Sequence, residues 1–305
     1  MLLPLMLVLA SFLIFLVPLL SGTDPSEVIL RARIGERELT QETVEQFRHE
    51  LGLDRPLTLQ YVSWLGRLLR GDLGVSYVSR VPVGGILWRG FKITAVLASL
   101  SVSLAFAIAI PLGVLAAVNS GRWLDNLISG ATQTGVAVPE YWLAPVLVLV
   151  FALYLGWLPS AGWRGPLHVI LPTLTLALRP IAYFTRLTRT AIIEVLHKDY
   201  IRAARARGLT EFQTFWRHAL RNSLIPVVTY AAIWLTSLLG GAVIVEVIFA
   251  VPGIGRVLYQ AVQTTDLPLL QAGLMVLVGL TVVIYTLTDL VYIALNPAIS
   301  LEKPH

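Results

Sequence analysis

The sequence predicts an all-α membrane protein with six transmembrane helices and an external helical cap after the first helix. Of its 305 residues, 56% are hydrophobic and only 13% are charged, and the apolar residues gather in long runs. A soluble domain of this size carries roughly 25% charged residues. A helix needs about 20 apolar residues to cross the hydrocarbon core. Six stretches of the chain have that length.

The predicted spans are bounded by charged or turn-forming residues. They are residues 1–20, 93–118, 127–159, 169–187, 224–249 and 267–295. The third is interrupted at Pro139 and Pro145. The first has neither the basic start nor the cleavage site of a signal peptide. It also has no basic residues before it, which leaves open whether the native start is Met1 or lies upstream.

The segment 188–223 sets the predicted orientation. From Arg186 to Arg221 the chain carries eight Lys or Arg residues against three acids. Short loops rich in Lys and Arg face the cytoplasm. Counting outwards, both termini, including the tail 296–305, are cytoplasmic, whereas 21–92 and 250–266 lie outside. The net charge of +5 follows the same rule and does not indicate a nucleic-acid-binding protein.

The external segment 21–92 is predicted to be a small helical cap. An amphipathic helix begins at Thr40 and is ended by Gly52, and a second follows Pro56 and is ended by Gly71. In the segment 250–266, Gly255 closes Pro-Gly-Ile-Gly after a membrane helix. We interpret it as a turn and not as a nucleotide-binding loop.

The sequence lacks the motifs of several kinds of functional site. No Gly-x4-Gly-Lys-Ser/Thr motif occurs, so we expect no ATP site of the P-loop type in this chain. It has no cysteine, which excludes thiolate metal sites, and its five histidines show no ligand spacing. We therefore expect no cofactor, no metal site and no catalysis in this chain.

Two charged residues fall near the middle of predicted spans, where charge is costly and usually functional. Glu140 follows Pro139 and Arg179 precedes Pro180. Either the two form an ion pair that holds two helices together, or one or both line a translocation path. A membrane-embedded enzyme that uses this pair is a remote alternative.

The basic segment also predicts a compact two-helix unit. A helical pattern stops at Gly208, a residue suited to the left-handed position after a helix. Thr210 and Gln213 fit a capping box that starts a second helix. The apolar residues of that helix fall at i, i+3, i+4 and i+7: Phe212, Phe215, Trp216 and Ala219. Such a unit suits the docking of a soluble partner.

The same residues carry a family resemblance. Arg202-Ala203-Ala204, followed by Gly208, resembles the EAA loop of ABC-transporter permeases, with Arg in place of the motif's Glu. Leu220-Arg221 stands where the motif has Leu-Pro, a departure that resembles the dipeptide/oligopeptide/nickel branch. Further stretches resemble that branch: 51–56, 69–74, 185–189 and 245–255, the last of which includes Glu246.

The resemblance implies a non-catalytic permease subunit of a type I ABC importer in the cell (inner or plasma) membrane. The implied partners are a second homologous permease in a heterodimer, two ATP-binding subunits that hold ATP and magnesium, an external substrate-binding protein, and membrane lipid. The implied substrates are di- or oligopeptides. Nickel, glutathione or another small solute are the alternative substrates.

The resemblance assigns the ATPase contact to the segment 200–220, and the spans supply candidates for the translocation path. The predicted contact residues are Tyr200, Arg202, Ala203, Ala204, Arg207, Gly208, Leu209, Phe212, Phe215 and Leu220. The predicted path residues are Glu140, Arg179 and Glu246.

Overall fold

The protein is helical in the part that the structure describes. This computed structural model describes residues 2–20, 26–27, 30, 41–50 and 54–295. Within them, the extended backbone amounts to an isolated bridge between Val75 and Pro82. In chain order the helices are α1 (Leu2–Leu20), α2 (Gln41–Glu50), α3 (Leu57–Leu69), α4 (Val83–Val118), α5 (Trp123–Ala137), α6 (Glu140–Leu147), π1 (Val148–Tyr154), α7 (Leu167–Leu196), α8 (Asp199–Ala206), α9 (Glu211–Thr214), π2 (Phe215–Leu220), α10 (Arg221–Gly241), α11 (Val243–Ile248), α12 (Ile254–Gln263) and α13 (Leu267–Leu295).

Among the described residues, four helices are long and apolar enough to cross a membrane. They are α4, α7, the continuous helix Glu211–Gly240 and the part of α13 from Leu267 to Thr286. The pair formed by α5 and the helix Glu140–Tyr154 counts as a fifth span if it is taken together, although it bends by 99°. At the place of the first predicted span, α1 holds a shorter apolar stretch, Pro4–Pro18. A total of six spans stays a prediction.

The two prolines of the third predicted span differ in their effect on the helical backbone. Pro139 lies between α5 and α6, where it is the N-cap residue of α6 and the chain bends. Pro145, in contrast, lies inside α6, and the helix continues through it into π1. A proline at the start of a helix costs little because no intrahelical bond needs its missing N–H.

Several helices extend beyond the apolar runs that predicted them. α4 begins at Val83, ten residues before the predicted start at 93, and α7 continues to Leu196, past the predicted end at 187. Arg89 and Lys92 interrupt the apolar run of α4, but the helical backbone needs only its own hydrogen bonds. The segment 250–266 holds α12, so Gly255 lies in the first turn of a helix and the predicted turn is wrong.

The chain divides into two compact units, the first of which comprises the described residues of 1–93 and 252–282. Its core packs the start of α4 against α12 and α13, with Val83, Leu87 and Ile254 almost completely buried. α3 lies against α1, where the Tyr61 hydroxyl and Ser11 Oγ share a hydrogen bond of 2.8 Å. Both cap helices form, although Thr40 and Gly52 lie outside the described residues.

The second unit comprises residues 94–251 and the described residues from 283 onwards, and α7 lies at its centre. α7 contacts α5, α6, α10, α11 and π2. Phe184 of α7 is fully buried and stacks on Phe106 of α4 at 5.2 Å between ring centroids. Gly113 of α4 lies so close to Thr188 of α7 that an added Cβ would stand 2.5 Å from the threonine Cβ. The absence of a side chain at Gly113 permits this contact.

Candidate functional site

The break after α8 has the geometry that the sequence predicts. Gly208 has a φ of 83°, in the left-handed region. Its N–H donates to the Arg205 carbonyl at 2.9 Å, and the Leu209 N–H donates to the Ala204 carbonyl at 3.4 Å. Together these bonds form a Schellman motif, which satisfies the last carbonyls of α8.

The next helix starts with the predicted capping box. The Gln213 N–H donates to Thr210 Oγ1, and the Thr210 N–H donates to Gln213 Oε1, both at 3.2 Å. Arg205 and Glu211 form an ion pair of 2.9 Å across the break. α9, π2 and α10 then follow without interruption. The segment predicted as a loop is therefore a short helix, a tight turn and the beginning of the long helix Glu211–Gly240.

The exposed face of this two-helix unit is aromatic and basic. The Phe212 and Trp216 rings lie 6.0 Å apart and are 71% and 53% exposed. The Tyr200 hydroxyl accepts a hydrogen bond of 3.3 Å from Asn222 Nδ2, which links α8 to α10. We call the exposed side chains Tyr200, Arg202, Phe212 and Trp216 the docking face.

The predicted contact residues divide into two groups. Exposed are Tyr200, Arg202, Ala203, Arg207, Gly208 and Phe212, whereas Leu209, Phe215 and Leu220 are half-buried. Ala204 is fully buried within this chain, whereas its neighbour Ala203 is exposed. The predicted apolar stripe also splits, because Ala219 in π2 is buried while Trp216 faces outward.

A buried ion pair near this unit was not predicted from the sequence. Arg189 of α7 meets Asp125 in the first turn of α5 through two nitrogens, and the Asp125 side chain is 3% exposed. The Gly121 N–H adds a bond of 2.9 Å to the same carboxylate. Because 64 residues separate the partners, no local pattern identifies the pair.

Glu140 and Arg179 lie on contacting helices, α6 and α7. They form no ion pair, which would require a nitrogen–oxygen distance of 4.0 Å or less. Glu140 is half-buried and Arg179 is exposed. A charge at the middle of a membrane costs about 2.5–3.5 kcal/mol on insertion scales, and such charges usually face water or pair with another group.

Glu246, the third path candidate, is completely buried. It accepts a hydrogen bond from Thr94 Oγ1, which ties α11 to α4 inside the second unit. A side chain without exposed surface does not line an open path in this conformation.

Aromatic side chains lie one turn beyond Arg179 on α7. Tyr183 approaches Tyr230 and Trp234 of α10, with ring centroids 5.6 Å and 6.1 Å apart. Residues four apart share one face of a helix. Arg179 and Tyr183 therefore present a charged and an aromatic group on the same side of α7.

Comparisons with known families and structures give the site its context. Residues 109–301 match the family described as binding-protein-dependent transport system inner membrane component. Residues 2–98 match the N-terminal region of such membrane components. A putative peptide transport system permease protein of Brucella abortus (strain 2308) is 39% identical over 304 residues, which cover 97% of this chain and 95% of the relative.

A glutathione transport system permease protein, GsiC of Escherichia coli (strain K12), is 36% identical over 293 residues, covering 96% of this chain and 94% of GsiC. A solved chain of the MetNI methionine ABC transporter, in inward-facing form, has a TM-score of 0.58 and 24% identity. It covers 68% of this chain and 95% of the solved one. That likeness concerns the fold. The chain belongs to the binding-protein-dependent transport system inner-membrane component family and is a non-catalytic permease subunit of an ABC importer.

Proposed function

We propose that this permease carries di- or oligopeptides across the membrane and that its docking face binds an ATP-binding subunit. The peptide assignment rests on the relatives, among which are peptide permeases and a permease for glutathione, itself a tripeptide. Glutathione or another small solute is the alternative substrate. Because the chain belongs to a permease family, the alternative interpretation as a membrane-embedded enzyme is excluded.

One observation supports the docking site most directly. Phe212 and Trp216 are large, apolar and exposed beside each other at the end of a long helix. Exposed apolar patches rimmed by polar residues mark interaction sites. The rim is basic, with Arg202, Arg207 and Arg217 exposed. We expect the partner surface to offer an apolar pocket with acidic residues around it.

The proposed assembly follows from this site. Two ATP-binding subunits, which carry ATP and magnesium, lie on the cytoplasmic side, and a second permease completes the path. Both termini are cytoplasmic, and an external substrate-binding protein meets the opposite side. Closure of the ATPase dimer pushes on the docking face, and the continuous helix Glu211–Gly240 carries that displacement into the membrane.

Cysteine crosslinking tests the docking face in the assembled importer. This chain contains no cysteine, so single cysteines at Phe212 or Trp216 provide a unique reactive site in it. We expect disulfide or short-linker crosslinks from these positions to the ATP-binding subunit. A cysteine at Ala204, which is buried, is the matched negative control. If every exposed position in 200–220 fails to crosslink and the loop 119–126 crosslinks instead, the docking site is misassigned.

A further inference from the structure

Two opposite charges in the second unit lie on contacting helices and have no partner in the part of the chain that the structure describes. Neither Glu140 nor Arg179 makes a hydrogen bond or an ion pair of 4.0 Å or less among the described residues. Their helices, α6 and α7, are nevertheless in contact. Arg179 lies about 18 Å along α7, twelve residues from Leu167. Arg179 thus lies well inside a helix that is long and apolar enough to cross a membrane.

This arrangement has a cost that the chain itself does not offset. Charged side chains inside membrane proteins face the bundle interior or a water-filled cavity, and they pair with one another or mark a substrate route. Here they lie on contacting helices but form no ion pair. A ligand with one negative and one positive group satisfies both at once, whereas a metal cation is repelled by Arg179.

The neighbouring side chains fit an organic ligand. Tyr183 follows Arg179 by one turn, and Tyr230 lies across from it with 40% of its side chain exposed. Such amphipathic rings offer apolar surface together with a hydroxyl group. They can cover the body of a short peptide without selecting its side chains.

We propose that Arg179 and Glu140 are the two poles of a subsite for a short zwitterionic peptide, with Arg179 taking the carboxylate and Glu140 the ammonium group. The proposal rests on the proposed transport of peptides and adds which chemical groups of the substrate are recognised. A guanidinium suits this role because it binds a carboxylate through two parallel hydrogen bonds. Both termini of the peptide must then be free and charged.

The test uses the complete importer in nanodiscs, with Tyr230→Cys as a reporter and trialanine as the probe. Millimolar trialanine should slow the labelling of this cysteine by a charged water-soluble thiol reagent. Trialanine amide and N-acetyl-trialanine should protect roughly tenfold less, because each lacks one hydrogen-bonded charge. Adding Arg179→Gln should abolish the protection, and Arg179→Lys should restore part of it. Ala177→Cys, buried two residues from Arg179, is the control that should not react.

Uptake of trialanine into vesicles separates this inference from the proposed function. If vesicles with the wild-type importer take up trialanine but the probe protects equally with Arg179→Gln, the subsite is wrong and peptide transport stands. If no trialanine enters at all, the proposed substrate class fails first. Slow labelling of Tyr230→Cys without any probe would show that a partner permease covers these charges, and it would overturn the subsite.

Discussion

The Arg189 guanidinium holds the Asp125 carboxylate through two hydrogen bonds, from Nε to Oδ1 at 2.6 Å and from Nη2 to Oδ2 at 2.8 Å. This contact joins the beginning of α5 to α7, ten residues before α8 begins at Asp199. The pair therefore ties α5, the helix that precedes Glu140, to α7 near the beginning of the two-helix unit.

We expect Asp125→Asn or Arg189→Gln to destabilise the permease. Removing one partner of a fully buried pair costs about 3–5 kcal/mol, because the other charge stays buried. Arg189 is 29% exposed, so we expect a smaller loss. Thermal unfolding of the purified importer should show a lower midpoint for either variant. Arg186→Gln, which removes an exposed arginine one turn away and its 3.4 Å hydrogen bond to Gln133, should lower the midpoint much less.

The exchanged pair, Asp125→Arg with Arg189→Asp, should restore only part of the lost stability. The charges then attract again, but the Gly121 N–H that donates to Asp125 would face a guanidinium. Equal unfolding midpoints for the exchanged pair and for the single variants would mean that the charges contribute nothing as a pair.

Gly208→Val should disconnect the ATP-binding subunit without preventing insertion. A left-handed backbone costs a residue with a Cβ about 1–2 kcal/mol, and a β-branched one more. An added Cβ meets no atom within 4 Å here, so the effect comes from the backbone alone. Gly208→Asn is the control, since Asn tolerates this conformation. Co-purification of the ATP-binding subunit measures the outcome, and unchanged binding for the valine variant would contradict the role of this turn.

Gly113→Ala should push α4 away from α7. The new methyl group would lie 2.5 Å from Thr188 Cβ and 2.8 Å from the Thr185 carbonyl oxygen. Overpacking of this kind costs about 1–3 kcal/mol. Gly130→Ala is the matched control, because it is also in a helix but meets nothing within 4 Å. It should be neutral or stabilising by about 0.5–1 kcal/mol. Both are measured by thermal unfolding.

The purified chain alone should hydrolyse no ATP. Its sequence lacks the phosphate-binding loop that P-loop enzymes use. An ATPase assay on the isolated permease, with the complete importer as the positive control, checks this. Stoichiometric binding of a nucleotide to the isolated chain would refute the prediction.

Features encoded by a few adjacent residues could be predicted from the sequence. The turn at Gly208 and the capping box at Thr210 depend on backbone sterics and on bonds three residues apart, so both are visible locally. Long apolar runs predicted the membrane helices. The ends of such a run show where the apolar side chains stop, and not where the helix stops. For this reason α4 and α7 extend beyond the predicted spans.

Features that depend on packing could not be predicted. Ala203 and Ala204 are identical in type, yet only Ala204 is buried, because the choice depends on which face of α8 turns inward. The partner of Arg189 lies 64 residues away. The separation of Glu140 from Arg179 also depends on the 99° bend between α5 and α6, whose angle no sequence pattern specifies.

The π-helical turn of Phe215–Leu220 lies between Phe212 and α10. It therefore determines on which side of α10 the Phe212 ring lies. A π-helical turn holds one more residue than an α-helical turn, so it behaves as an insertion absorbed within the helix. Deleting one residue there and restoring regular α-helix would therefore leave Phe212 on nearly the same side of α10. A deletion of one residue from a regular α-helical stretch, in contrast, rotates the residues before it by about 100° relative to those after it. The π-helical turn is thus a place where a homologous segment can be one residue shorter and still present its aromatic ring on the same side.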